Sequence, residues 1–228
     1  MAASQGATKE SIPRPRVQTL SDMIFGLALS IGAVTALETK PGNILAVFYS
    51  LVSFGFSFLV LSLVWFRYSK IMSVLPTENT GIVMANMLLL FLVSIEPYLF
   101  NLLNISAYVP SPGQLDSATT TTLYALDLGC LLIVLAYFVH ELTVEDRRLI
   151  PRELMKGYRL TMYTTIFGAF LFLVSVLPVF WNVVIVSSPT IPLRYIMWSG
   201  VFVANVGRRL DVRMATEKGK PAQLKVTR

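Results

Sequence analysis

The sequence is poor in the residues that build catalytic centres, metal sites and disulfide frameworks. It has one cysteine, Cys130, and one histidine, His140, in 228 residues. A single cysteine cannot form a disulfide within the chain, and these two residues cannot assemble a metal cluster or a typical Ser-His-Asp triad within one subunit. A G-x-S-x-G motif is also absent from the sequence. We therefore expect neither an enzyme, nor a bound metal, nor a cofactor.

Charged residues are scarce as well. They make up 14% of the chain, whereas soluble domains contain about 25%. Hydrophobic residues make up 54%, and the mean hydropathy is +0.64. A small soluble protein exposes too much of its surface to hide this amount of apolar material. The composition therefore predicts a protein whose solvent is the lipid bilayer.

Apolar runs long enough to cross a bilayer recur along the chain. A transmembrane helix needs about 20 such residues, and the first run is longer than the roughly 7–15 residues of a signal-peptide core, so we interpret it as a retained helix. The predicted spans are 20–37, 44–66, 82–104, 119–140, 160–180 and 193–207. The last span is short, and Pro189 and Pro192 precede it, which indicates a broken or tilted helix.

These runs define the predicted organisation. We expect an all-α integral membrane protein with one six-helix domain at 20–207, preceded by a polar arm at 1–19 and followed by a basic tail at 208–228. None of the connections is long enough to hold a soluble domain.

The distribution of positive charge predicts the orientation of the chain. If the N-terminus is cytoplasmic, only two of the 19 lysines and arginines, Lys40 and Arg194, fall in outer segments. Cytoplasmic loops carry most Lys and Arg in membrane proteins, so both termini are predicted to be cytoplasmic. This bias explains the net charge of +6 without a nucleic-acid partner. The basic tail has two interpretations, a topology signal or a segment that contacts anionic headgroups.

The first span combines polar residues at its start with two distinct faces. Ser21 and Asp22 can cap free N–H groups at the cytoplasmic end, and Arg16 can fold back on Asp22; a plain cap next to a topology arginine is the alternative. One helical stripe consists of Met23, Leu27, Ser30, Val34 and Leu37. A separate line of small residues consists of Ala28, Gly32 and Ala36. The small line favours close packing on one side, although ordinary packing with Ser30 bonded to its own turn gives the same periodicity.

Several motifs resemble those of a known family. Arg16-x-x-x-Leu-Ser-Asp22 followed by Phe25-Gly-Leu-Ala-Leu-Ser30 resembles the R-x-x-x-F-S-D…F-A-I-A-x-T signature of the transmembrane protein 175 family, which comprises potassium channels of lysosomes, bacteria and archaea. Further matches are Tyr49, Ser53-Phe54, Trp65, Asn86 and Pro97-Tyr98, so the resemblance covers residues 16 to about 100. The chain departs from the pattern at Leu20, Gly26 and Ser30, and it has Arg67 and Tyr68 where a histidine usually follows the tryptophan.

The resemblance implies a homotetrameric potassium-permeable channel whose first helix lines a central pore. It implies that Leu27 forms the narrowest ring, that Val34 forms a second apolar ring further outward, and that Ser30 places hydroxyls between them. Potassium ions would pass passively, with a modest preference over sodium, through a protein embedded in the plasma membrane if it is prokaryotic. The structural residues it implies are Arg16, Ser21, Asp22, Trp65 and Asn86, which would clamp the inner end of the pore helix.

Three charged residues at membrane depth leave a second function open. Glu96, Asp127 and Arg194 are all predicted in the outer half of the membrane. They could form a mutually satisfied acid–arginine cluster or an outer vestibule that attracts cations. A secondary transporter coupled to protons through Glu96 or Asp127 is the alternative function, although we see no inverted repeat of the kind that many transporters contain.

Overall fold

The computed structural model describes residues 16–38, 44–75, 79–108, 116–144, 149–187 and 190–201. Within these ranges the chain forms five long helices, because a segment in lipid must satisfy its backbone hydrogen bonds internally. The long helices are α1 (Arg16–Glu38), α2 (Ile44–Met72), α3 (Thr80–Tyr108), α4 (Ser117–Thr143) and α5 (Arg152–Val174). A short helix α6 (Pro178–Asn182), strands β1 (Val184–Ser187) and β2 (Thr190–Pro192), and a helical segment at 193–201 follow.

All five long helices are long and apolar enough to cross a membrane. The prediction of five of the six spans is therefore confirmed. The sixth predicted span is helical over 193–201, and its remainder lies outside the described residues, as do residues 1–15 of the arm and the basic tail. The cytoplasmic location of the termini stays a prediction.

The end of α5 differs from the predicted span, which extended the helix to residue 180. Pro178 has no N–H group and disfavours a helical conformation at Leu177, whose φ and ψ of −58° and 135° are extended, so α5 ends at Val174. The β-branched run at 183–186 then favours extended backbone. Val184 pairs with Pro192, and Ser187 with Thr190, in a short antiparallel hairpin that an all-α prediction does not include.

Helix α4 occupies the centre of the bundle and packs against α3 and α5, while α1 packs against α3 and α2. One buried cluster joins α1 to α4 and includes Phe25, Leu89 and Phe138. A second cluster joins α2, α4, α5 and the segment at 193–201, and its members include Tyr124 and Trp198. The first three helices and the last elements are thus held together mainly through α4.

The start of α4 and its contact with α5 are specified by single residues. The Asp116 carboxylate accepts a hydrogen bond from the Thr119 N–H at 3.3 Å, which caps the helix. Hydrogen bonds from Thr119 hold the pKa of this exposed carboxyl below its usual value. Further along, a Cβ on Gly129 would lie 2.8 Å from Leu173 Cδ2, so the absent side chain permits the close approach of α4 and α5.

Candidate functional site

Helix α1 has one face buried in the subunit. Ser21, Phe25 and Ala28 are at most 2% exposed and lie at helical spacing on this face. A Cβ on Gly32 would meet the Phe54 ring at 3.7 Å and Pro97 Cβ at 4.0 Å. Ala28 and Gly32 of the predicted small line therefore lie against the bundle, while the side chain of Ala36 lies outside the described residues. This is the close packing that small residues permit between membrane helices.

The opposite face of α1 is not covered by the rest of the subunit. Met23, Leu27 and Val34 are 68%, 60% and 56% exposed, and Ser30 is exposed between them. We call these four residues the α1 stripe; the side chain of Leu37, the fifth member predicted, lies outside the described residues. The stripe is apolar apart from one hydroxyl, so in a membrane it can face lipid, another protein surface or a pore between subunits.

The Ser30 hydroxyl is oriented by its own helix. It donates a hydrogen bond to the Gly26 carbonyl oxygen at 2.8 Å, a common arrangement for serine within helices. The hydrogen is therefore used locally, and the oxygen lone pairs remain available on the exposed face. Lone pairs are what a cation requires of a hydroxyl ligand.

Three polar side chains meet at the inner end of α1. The Tyr68 hydroxyl from α2 lies 2.6 Å from Ser21 Oγ and 2.8 Å from Asn86 Oδ1 of α3. With a single hydrogen it donates to one of them at a time. Asn86 Nδ2 also donates to Ser21 Oγ at 3.4 Å, and Ser21 Oγ lies 2.8 Å from the Val17 carbonyl. This cluster joins α1, α2 and α3 through residues that are fully buried.

A second hydrogen bond attaches the same turn of α1 to α2. The Trp65 Nε1–H donates to Asp22 Oδ1 at 2.9 Å. Four of the five residues predicted as structural are therefore brought together at one end of the bundle, namely Ser21, Asp22, Trp65 and Asn86. Arg16 is the first residue of α1, and its side chain lies outside the described residues, so the Arg16–Asp22 interaction stays a prediction.

Tyr68 belongs to this cluster, although the sequence motifs did not predict it there. The available signal was its position three residues after Trp65, because residues at i and i+3 share a helix face. It stands in the stretch where the family pattern has a histidine, and its hydroxyl contacts both Ser21 and Asn86. Tyr68 therefore supplies a buried polar group at this position of α2.

Glu96 lies in a separate polar cluster deeper in the bundle. Its carboxylate accepts hydrogen bonds from the Ser57 hydroxyl at 3.0 and 3.1 Å and from the Tyr124 hydroxyl at 3.1 Å. Glu96 is completely buried, and these bonds connect α3 to α2 and α4. Asp127 lies one turn after Tyr124, and its Oδ2 has no hydrogen-bond partner among the described residues.

Arg194 does not pair with either acid in the described part of the chain, which corrects the predicted acid–arginine cluster. Its guanidinium donates to the carbonyls of Ser175 and Val176, at the negative end of the α5 dipole, at 2.8 and 3.2 Å. It also bonds to the start of α4 through the Ala118 carbonyl and the hydroxyls of Thr121 and Thr122. The predicted outer vestibule is not supported either, because Glu96, Asp127 and Arg194 are all buried within the subunit.

Comparison with known proteins finds a family that is similar to part of the chain. Residues 16–97, from the start of α1 into α3, match the model of the family described as the endosomal/lysosomal potassium channel TMEM175. The match covers less than half of the chain. The matched segment contains the α1 stripe and the polar cluster around Ser21. With its five long apolar helices, the chain is a multi-pass integral membrane protein.

Two solved structures resemble this chain. A variant of the potassium channel MtTMEM175, bound to a nanobody–MBP fusion, is 15% identical over 96% of this chain and 100% of that chain, with a TM-score of 0.54. A lysosomal potassium-selective channel TMEM175 homologue from Chamaesiphon minutus is 21% identical over 71% of this chain and 87% of that chain, with a TM-score of 0.49. The likeness to MtTMEM175 shows a shared fold. No curated protein matches the chain.

Proposed function

We propose that this protein is the subunit of a homotetrameric, potassium-permeable channel in which α1 lines the pore. The observation that carries the proposal is the α1 stripe, an exposed apolar surface with one hydroxyl, on a helix whose other face is anchored by hydrogen bonds. The matched family and the structurally similar MtTMEM175 are both potassium channels. Permeant potassium ions, and no cofactor, are therefore the proposed ligands.

Leu27 and Val34 are the proposed constrictions. Four leucine side chains that meet on an axis exclude water, and a dewetted apolar ring is a barrier to ions. Val34 lies two turns beyond Leu27 on the same exposed stripe and would form a second ring. Conduction is then downhill, and a small rotation or outward tilt of α1 would open the path.

Ser30 is the proposed source of modest selectivity. Its oxygen lies between the two apolar rings and presents lone pairs, so four copies can replace part of a cation's hydration shell. Potassium is more weakly hydrated than sodium and loses less when water is stripped away. We expect Ser30→Ala to lower the ratio of potassium to sodium permeability in bi-ionic recordings. An unchanged ratio would contradict this role.

The polar side chains around Ser21 and Asp22 are proposed to fix the rotation of α1, and with it the direction in which the α1 stripe faces. Ser21 and Asp22 fix the inner end of α1 to α2 and α3 through Tyr68, Trp65 and Asn86. Arg16 is proposed to join them. A helix fixed on one side cannot turn its stripe away freely, so the same residues face the axis in every subunit.

Potassium flux into liposomes tests the proposal. We expect Leu27→Ala to increase downhill flux several-fold, because four smaller side chains leave room for water on the axis. Leu160→Ala is the matched control, since Leu160 is 54% exposed on α5 and comparable to Leu27 in exposure. A Leu27→Ala flux equal to that of the wild type, or an equal rise in Leu160→Ala, would falsify the gate assignment. Cross-linking in detergent that yields only monomers would refute the tetramer.

The proton-coupled transporter stays the second candidate, and the unpartnered Oδ2 of Asp127 is the observation in its favour. The same liposomes separate the two candidates when Glu96→Gln and Asp127→Asn are measured with and without a proton gradient. A pore keeps its downhill flux in both variants. A transporter coupled through these acids loses its response to the gradient.

A further inference from the structure

A cleft between α2, α4 and α5 is the feature from which we draw a further inference. Its volume is about 70 Å³. The residues that line it are Arg67, Lys70, Ile71, Leu135, Val139, Tyr158, Thr161 and Thr165. None of these residues belongs to the α1 stripe or to the polar cluster at the inner end of α1.

The cleft lies close to one end of the bundle. Lys70 is in the last turn of α2, Val139 is near the end of α4, and Tyr158 is near the start of α5. Because alternate helices run in opposite directions, these three helix ends lie on the same side of the membrane. At about 1.5 Å per residue, Tyr158 is roughly 9 Å from the first residue of α5.

The charge of the cleft has one sign. Arg67 and Lys70 lie on the same face of α2, and the lining contains no acidic side chain. The Lys70 ammonium lies over the Tyr158 ring, 5.9 Å from its centroid, and both residues line the cleft. The two cations supply the donors that a phosphate oxygen requires.

The rest of the lining is mixed. Ile71, Leu135 and Val139 supply aliphatic side chains, and Thr161 and Thr165 supply hydroxyls. Two cations beside aliphatic and hydroxyl side chains can hold a phosphate group next to the first atoms of an acyl chain. Basic pockets between membrane helices are known to bind anionic headgroups.

We propose that this cleft binds the phosphate headgroup of an anionic phospholipid. The cleft is small, at about 70 Å³, so only the phosphate group occupies it, and the acyl chains lie outside it along α4 and α5. Arg67 and Lys70 hold the phosphate, and Tyr158 positions Lys70. The site does not depend on whether the protein is a channel or a transporter.

Thermal unfolding of delipidated protein in a neutral detergent tests the site. Phosphatidylglycerol is expected to raise the melting temperature in a saturable manner, whereas phosphatidylcholine is not. In the double variant Arg67→Gln/Lys70→Gln, the apparent affinity for phosphatidylglycerol should fall about fivefold for each charge removed, which corresponds to about 1 kcal/mol per basic residue near a membrane surface. Lys70→Gln alone should lower the apparent affinity about fivefold. Because Lys70 is exposed, this single variant serves as the test if the double variant does not fold.

Lys156→Gln is the matched control, because Lys156 is an exposed lysine near the same end of α5 but does not line the cleft. It should keep the wild-type affinity. The proposal is overturned if Lys70→Gln binds phosphatidylglycerol like the wild type, or if Lys156→Gln weakens binding equally. It is also overturned if phosphatidylcholine or inorganic phosphate gives the same stabilisation, since the first would indicate a nonspecific lipid effect and the second a site for free anions.

Discussion

Removal of one hydroxyl, in Tyr68→Phe, should loosen the inner end of α1. The Tyr68 hydroxyl lies within hydrogen-bond distance of Ser21 on α1 and Asn86 on α3, and all three residues are fully buried. The phenyl ring keeps its packing against Phe25, whose ring centroid is 5.5 Å away, so the change is confined to the hydrogen bonds. Hydrogen bonds between membrane helices contribute about 0.6–2 kcal/mol.

The expected loss is close to the upper end of that range, because Asn86 is fully buried and a buried acceptor that loses its donor costs more than the hydrogen bond alone. For a chain of this length, about 1 kcal/mol lowers the melting temperature by roughly 2–4 °C. We therefore expect Tyr68→Phe to melt several degrees below the wild type in detergent. Tyr163→Phe is the matched control, since Tyr163 is exposed on α5, and it should melt like the wild type.

The same variant connects the anchor to the proposed function. If the cluster fixes the orientation of the α1 stripe, potassium flux in Tyr68→Phe should change together with stability, whereas Tyr163→Phe should leave flux unchanged. A Tyr68→Phe protein with wild-type melting temperature would refute the energetic argument. If Tyr68→Phe is less stable but has the flux of the wild type, the hydrogen bonds of Tyr68 stabilise the fold and do not affect conduction.

Three further changes have defined outcomes. Gly129→Ala should lower the melting temperature because its Cβ meets Leu173, whereas Gly157→Ala, with nothing within 4 Å, should raise it slightly through helix propensity. Arg194→Met should expose α5 and the hairpin to limited proteolysis, because five hydrogen bonds are lost. The protection factors of amides at the start of α4, that is, exchange rates corrected for the intrinsic pH dependence, should fall as the pH falls through the lowered pKa of Asp116, since the cap is complete only above the unfolded-state pKa. Asp116→Asn should remove this fall in protection.

Hydropathy and periodicity predicted the parts of the fold that depend on one segment at a time. Five spans follow from apolar length, and the buried and exposed faces of α1 follow from the spacing of Ala28 and Gly32 against Met23 and Leu27. These features are local because lipid imposes the same requirement on every helix. The end of α5 was missed because the apolar run continues to Phe180, whereas the helix ends at Val174, before the extended Leu177 and Pro178.

Partner choice between distant helices could not be predicted in the same way. Glu96, Asp127 and Arg194 all fall in the outer half by depth, and opposite charges there suggested a pair. In the structure, hydroxyls of Ser57 and Tyr124 satisfy Glu96, and helix-end carbonyls satisfy Arg194. The choice depends on the rotation of each helix, which depth along a sequence does not specify.

Exposure alone does not distinguish a pore helix from a helix that faces lipid. In the apolar segments of both α1 and α5, only 22% of the residues are buried in the subunit. The side chains differ between the two surfaces. The exposed face of α5 carries bulky rings, among them Tyr163, Phe167 and Phe170, which suit a lipid boundary. The exposed face of α1 includes Gly26 and Ser30 among its aliphatic side chains, and small residues allow copies of a helix to approach an axis. With its opposite face held by hydrogen bonds, α1 is the better candidate for the helix that meets its own copies.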